Sequence, residues 1–485
     1  MGFAAPHALK GSTPSRARGV SAGSGLWWAI GIAGLGFALI FATWGGREAT
    51  LLGMIVAAGL LGVVTVKPEI GVLILMTNYL IASYPTPLRG QGLLTINNLL
   101  GIIMAVILVA QLAQKPDFWF LRVRGLQIFI LIGIVFILST IASGYHFPDL
   151  RVTSGRFRTL DATYPMSRAF VTRVAFVVLA LAFLTTKRHI KLVMTIMMMC
   201  LIMVVPSALM GLAGGQGIGG YRAAASFSAG TNPNRLAFLC LIQMGFWWYF
   251  MRAKPSSFRT VLSLGVISSL ILTVFLTASR SGAIGLGIVM YLLSRPRGGM
   301  EASRVQIAAV ALIGLGLVVT LIPAKNLERM QELNPFAEGN ESIGAHSTER
   351  RVETVGAAWE IAMDYPVFGV GIGNFREVAR QIYMDPFWRP PHNSYLWALS
   401  EGGFGCLFLY LWMFYITWRD IRALQASPAV PEDLRWIAAA LEPTLILLLF
   451  YSAFADIWLS PITYIVVVFV AIFKRYASQR RVVVV

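Results

Sequence analysis

Three polar residues carry most of the chemistry this sequence can offer: His392, Arg222 and Arg280. His392 stands in Arg389-Pro390-Pro391-His392-Asn393-Ser394-Tyr395, directly ahead of an apolar run that begins at Leu396. An imidazole in such a place can accept a proton near neutral pH, which suits activation of an attacking hydroxyl. Arg222 lies in a glycine-rich segment that ends in Thr231-Asn232-Pro233-Asn234, and Arg280 in the tight turn Ala278-Ser279-Arg280-Ser281-Gly282. A guanidinium stays charged and donates paired hydrogen bonds in one plane, so these two arginines suit phosphate or pyrophosphate. A base with two such cations fits displacement of a lipid pyrophosphate from a sugar by an acceptor alcohol. Each residue also has a plainer role available. Interfacial arginines commonly snorkel or pair with lipid headgroups, and a single histidine can simply be satisfied at an interface.

The elements that must position these residues follow from composition. Mean hydropathy is +0.70 and only 13% of the 485 residues are charged, against about 25% in soluble globular chains. Apolar runs recur along the whole length, mostly some 16 to 22 residues long, enough to cross a hydrocarbon core of roughly 30 Å. Inside lipid the backbone must satisfy its own hydrogen bonds, so the runs predict helices. The expected fold is all-α: a polytopic helical membrane protein of about 12–14 spans with one large outer loop. Candidate spans lie at about 26–44, 50–66, 69–84, 95–113, 125–143, 168–186, 192–212, 235–251, 260–278, 281–294, 305–322, 396–418, 437–454 and 458–473.

Loop charges orient the spans. With the N-terminus inside, each inner segment is basic, from Lys10, Arg16 and Arg18 to Lys474, Arg475, Arg480 and Arg481. This alternation puts both termini in the cytoplasm and accounts for much of the net charge of +18 without a nucleic-acid partner. A basic, aromatic-interleaved soluble domain is missing as well. The same alternation puts Arg222, Arg280 and His392 on the outer face. The domain plan is then a disordered cytoplasmic tail over 1–25, a transmembrane bundle over 26–322, an outer loop over 323–395, closing spans over 396–475 and a tail over 476–485. Within the outer loop, Ser347-Thr348-Glu349-Arg350-Arg351 is expected to open a helix capped by Ser347 or Thr348. Val352, Val355, Trp359, Ala362 and Met363 give it one apolar face, against the bundle or the lipid interface. Pro366 ends it, and a tight, flexible turn through Gly369, Gly371 and Gly373 follows. No strand precedes those glycines and they face away from the cytoplasm, so backbone packing near a ligand is the reading, not a nucleotide loop. Cys200, Cys240 and Cys406 fall in apolar runs with no disulfide or zinc-ligand spacing and read as small buried hydrophobes. His146 and His346 also face outward, without a comparable setting.

In order along the chain, Tyr221-Arg222, Phe227, Asn232-Pro233-Asn234 and Ser279-Arg280-Ser281-Gly282 resemble the bacterial O-antigen ligase and Wzy-type polymerase superfamily. So do Arg351 ahead of Pro366-Val367-Phe368-Gly369-Val370-Gly371, and His392-Asn393-Ser394 ahead of Glu401-Gly402-Gly403. The resemblance covers about residues 210–418. It implies metal-independent, inverting transfer of a glycan from undecaprenyl pyrophosphate at the periplasmic face of the inner membrane, with no cofactor. By position, Arg222 and Arg280 would bind the pyrophosphate, His392 would activate the acceptor hydroxyl, and Arg351 would add a phosphate or glycan contact. The acceptor stays open among a lipid A core (ligase), another lipid-linked repeat (polymerase) and a protein hydroxyl. A metal-dependent transferase would be expected to carry an outer acidic pair, and no Asp-x-Asp occurs. A glycolipid transporter would be expected to hold more acids within its spans than Glu69, Glu401 and Glu442, each near a span end.

Overall fold

A computed structural model describes residues 62–81, 96–144, 163–213, 222–224, 232–254, 256–295, 304–321, 326, 343–381, 383 and 390–484. Two compact units divide the chain, 1–70 and 71–485. In the first, residues 62–66 are helical, and Thr65 Oγ1 donates to the Gly62 carbonyl at 2.8 Å. The first expected span, most of the second, and the 1–25 tail lie outside the described residues, as do His146 and Tyr221.

The remaining helices, in order, are α1 (Pro68–Ile81), α2 (Ile96–Gln114), α3 (Arg124–Ser143), α4 (Thr163–Phe183), α5 (Lys187–Ile202) and α6 (Val204–Ala213). Next come α7 (Pro233–Ala253), α8 (Ser257–Leu276), α9 (Arg280–Ser294), α10 (Arg304–Leu321) and α11 (Ile343–Asp364). The chain continues with α12 (Phe375–Gln381), α13 (Ser394–Ala426), α14 (Glu432–Ser452) and α15 (Pro461–Val484). Among the described residues nine helices are long and apolar enough to cross a membrane: α2, α3, α4, the α5–α6 run, α7, α8, α13, α14 and α15. The shorter α9 is apolar too. The protein is thus a polytopic helical membrane protein.

Several boundaries differ from the sequence reading. The span expected at 192–212 breaks at Met203 into α5 and α6. Pro206 explains the break, since its ring clashes with the carbonyl four residues back, at Ile202. The amphipathic helix starts at Ile343, four residues ahead of Ser347, so Ser347 and Thr348 lie inside it instead of capping it. Its face toward the bundle is Thr354, Ala357, Ala358, Ile361 and Ala362, packed on α13. Val352, Trp359 and Met363, part of the apolar stripe expected against the bundle or the lipid interface, are exposed on the side away from the bundle. The small alanines allow close approach, and the bulky residues turn outward. At the C-terminus, helix α15 continues through residues 476–484. Cys200, Cys240 and Cys406 are free and buried.

Burial orders the bundle. In α7, 83% of the span is buried, against 22% in α2, so α7 is central and α2 peripheral. Helices α8, α14, α9 and α5 surround α7. Glycine lets α9 approach it closely, since a Cβ on Gly282 would stand 2.8 Å from that of Ala237. Arg173, half-buried within the α4 span, donates from Nη1 to the Ala169 carbonyl at 2.6 Å. An arginine within a span is expensive and is an ionisable group the sequence reading did not weigh.

Helix α13 is interrupted at Gly403, where φ is +68°. The turn after α11 docks on the interruption. Val370 N–H donates to the Ser400 carbonyl at 2.9 Å, Gly371 N–H to Glu401 at 3.0 Å, and Phe404 N–H to Pro366 at 2.8 Å. The turn expected to be flexible is therefore pinned, and its glycines do pack backbone on backbone. From α3, Ser139 Oγ donates to the Glu401 carbonyl at 2.7 Å. A Cβ on Gly403 would lie 2.3 Å from the Val367 carbonyl oxygen. Gly403→Ala is expected to cost at least the 1–3 kcal/mol or so of forcing a side chain into that backbone region, read as a lower melting temperature of the solubilised protein. Gly265→Ala, with nothing within 4 Å of its Cβ, serves as the contrast and should not lower it. Equal melting of both variants would contradict the docking.

Candidate functional site at the convergence of three helix N-termini

The first residues of α7, α9 and α13 meet at one end of the bundle, and each N-terminus is capped by a polar side chain. Asn232 accepts from Asn234 N–H, Ser279 from Gly282 N–H, and Asn393 from the N–H groups of Tyr395 and Leu396. Unpaired N–H groups and the helix dipole make such ends favourable to anions. The opposite end of the bundle holds the ion pairs Lys187–Asp433 at 2.9 Å, Lys191–Asp433 and Lys474–Asp420, drawn from the basic segments read as inner.

Asn234 links Arg222 to Ser279, the residue before Arg280. The C-terminal carbonyls of α8 need partners beyond the helix. Leu276 O accepts from Ala223 N–H at 2.9 Å and from Asn326 Nδ2 at 3.1 Å, and Thr277 O accepts from Arg222 Nε at 3.0 Å. These bonds bring the described part of the glycine-rich segment onto the turn before α9. Arg222 Nη2 donates to Asn234 Oδ1 at 3.5 Å, and the same oxygen accepts from Ser279 Oγ at 2.8 Å. Arg280, half-buried, follows Ser279 as the first residue of α9.

His392 is joined to the same helix end by a residue the sequence reading missed. Its Nδ1 lies 2.8 Å from Asp456 Oδ2, in the short loop between α14 and α15. The imidazole is 31% exposed and the carboxylate 9%. With the carboxylate as acceptor, Nδ1 carries the proton and Nε2 is left as the proton-accepting nitrogen. The Asp456 carbonyl accepts from Arg235 Nη2 at 3.0 Å. Arg235 is the neighbour of Asn234, so α7's first turn touches Arg222 and Ser279 with one residue and the histidine's acidic partner with the next. Arg351 stands half-buried on α11. The hydrogen bonds named here link His392 through Asp456 to Arg235, and Arg222 to Asn234 on the same turn of α7; they reach Arg280 only through its neighbour Ser279 and do not include Arg351, although α11 packs on α13.

Backbone strain marks the same place. Among the described residues the non-glycine residues with positive φ are Ala278 (+47°) and His392 (+49°). Such conformations persist only where the surroundings enforce them, and they cluster at functional sites. One adjoins the Ser279-Arg280 turn and the other is the histidine itself. A shallow groove with about 20 Å³ of cavity volume lies beside the loop. Its walls include Tyr79, Leu201, Phe238, Ile457 and Ile462, with Arg235 as its charged residue.

Comparison with known proteins agrees with the motifs. Residues 264–411 match the family model for O-antigen ligase. The matched segment contains Arg280, Arg351, the docked glycine turn and His392, while Arg222 lies ahead of it and Asp456 beyond it. No curated protein matches the chain. Over residues 264–411, this multi-pass membrane protein is similar to the O-antigen ligase family.

Proposed function

We propose that the protein transfers a glycan from undecaprenyl pyrophosphate to an acceptor hydroxyl at the periplasmic face of the bacterial inner membrane, as an O-antigen ligase with a lipid A core acceptor. The observation that carries this reading is the joining of the His392–Asp456 pair to the Arg222–Asn234–Ser279–Arg280 turn through α7's first turn. His392 Nε2 takes the acceptor's proton while its oxygen attacks the anomeric carbon. The carbon–oxygen bond to pyrophosphate breaks, and the electron pair leaves with the pyrophosphate. Arg222, Arg280 and the helix N-termini around them hold the charge that develops. Asp456 stabilises the imidazolium formed, and that proton passes on to the leaving group or solvent. Attack from the face opposite the leaving group inverts the anomeric centre. The guanidinium groups supply the charge stabilisation a cation would otherwise give, so the step is metal-independent and uses no cofactor. Arg351 adds a contact to phosphate or glycan from α11.

The family match supports an O-antigen ligase or polymerase-like transferase, and the ligase is the reading we take to the test. The test offers purified lipid-linked glycan to the reconstituted protein with each acceptor class in turn. Transfer to a lipid A core is the expected result. Transfer only to a lipid-linked repeat or a protein would move the assignment within the superfamily, and no transfer to any acceptor would overturn it.

A further inference from the structure

The loop between α14 and α15 is held by side chains at three successive carbonyls. Ser394 Oγ donates to Ala455 O at 2.7 Å and accepts from Ile457 N–H at 2.9 Å. Arg235 Nη2 donates to Asp456 O at 3.0 Å, and Thr463 Oγ1 to Ile457 O at 2.9 Å. The donors come from α13, α7 and α15, so each helix that meets at the loop holds one of its peptide groups. Ser394 is 0% exposed, and its hydroxyl is not spent on helix capping, because Asn393 already takes the N–H groups of Tyr395 and Leu396. The held peptides flank Asp456. Its Oδ2 meets His392, and its Oδ1 is buried with no hydrogen-bond partner among the described residues. The direction of the carboxylate is therefore set by His392 and by the backbone that carries it.

We infer that Ser394 and Arg235 are positioning residues for the transfer reaction: through the backbone of residues 455–457 they hold the Asp456 carboxylate on His392 Nδ1, and thereby aim Nε2 at the acceptor hydroxyl. The inference rests on His392 acting as the base. The charged group that touches the loop carrying the pair is Arg235 on α7; Arg222 reaches the same turn of α7 at Asn234, and Tyr395, next to Ser394 on α13, donates its hydroxyl to the Leu449 carbonyl at 2.7 Å. Misplacing a reacting group by about 1 Å can cost on the order of 100-fold in rate.

The test uses the full-length reconstituted protein as Ser394→Ala, Arg235→Met, Asp456→Ala, the Ser394→Ala/Asp456→Ala double variant and His392→Ala. Ser394→Ala and Arg235→Met are each expected to lower kcat by about 10- to 100-fold. The acid limb of the pH–rate profile is the second readout, and the two variants should move it in the same direction as Asp456→Ala. The double variant should be no slower than Asp456→Ala alone, because residues acting through one another are not additive. Losses that multiply in the double variant with the limb unmoved would overturn the inference, as would wild-type profiles in both single variants. Should Ser394→Ala fail to accumulate as folded protein, Arg235→Met beside the open groove reads the same limb, and Arg235→Lys, which keeps a donor, should recover part of the rate. Activity in His392→Ala would overturn the reading of the base itself, and this inference with it.

Discussion

Glycan transfer by His392→Ala is expected to fall by about 10²- to 10⁴-fold, the range for loss of a general base, while the protein still inserts and folds. The substitution removes a half-exposed side chain at a helix entrance and leaves the bundle's interior untouched. Asn393 keeps the cap of α13 and Ser394 keeps the loop, so the helix start should survive. A positive φ at residue 392 is no better for alanine than for histidine, so the fold should lose little on that account. Transfer assayed on the purified variant, normalised to folded protein, checks the expectation. Near-wild-type turnover would remove His392 from the chemistry.

Arg280→Ala has the next largest expected effect, about 10²- to 10³-fold on kcat, the loss that follows removal of one donor to a developing oxyanion. Arg280 is the first residue of α9, where the helix dipole and the guanidinium would act on the same anion in the proposed reaction. Arg280→Lys should fall between wild type and alanine, because an ammonium keeps the charge and loses the planar, paired donors. Product release as polyprenyl pyrophosphate, measured alongside glycan transfer, separates a leaving-group defect from an acceptor defect. Unchanged turnover in Arg280→Ala would place pyrophosphate stabilisation elsewhere.

Residue type and topology alone sufficed to select His392, Arg222 and Arg280. An arginine or histidine at a span end is conspicuous in a chain this apolar, and the loop charges put all three on one face. Asp456 was not legible. It is a lone acid in a short loop, 64 positions from His392, and no spacing rule links the two. Arg235 was hidden for a related reason, since Asn232-Pro233-Asn234 drew the reading to the cap, and only the fold turns the next residue toward the last loop. The Met203 break was legible in principle from Pro206. The interruption of α13 was not, because Gly403 lies in a glycine-containing apolar run and its positive φ depends on the turn that docks there. The outward turn of Val352, Trp359 and Met363 was invisible to periodicity, which finds an apolar stripe and cannot say whether protein or lipid covers it.

The measurement that bears most directly on the central claim is a stoichiometric time course. Reconstituted wild-type protein is given purified undecaprenyl-pyrophosphate-linked glycan and a lipid A core acceptor in the presence of EDTA. Released undecaprenyl pyrophosphate and glycosylated acceptor are followed together, and the anomeric configuration of the product is determined. The account predicts equimolar appearance of the two products, undiminished by EDTA, with the anomeric centre inverted. Retention of configuration, or a requirement for added divalent cation, would contradict a single displacement driven by His392 and the paired arginines.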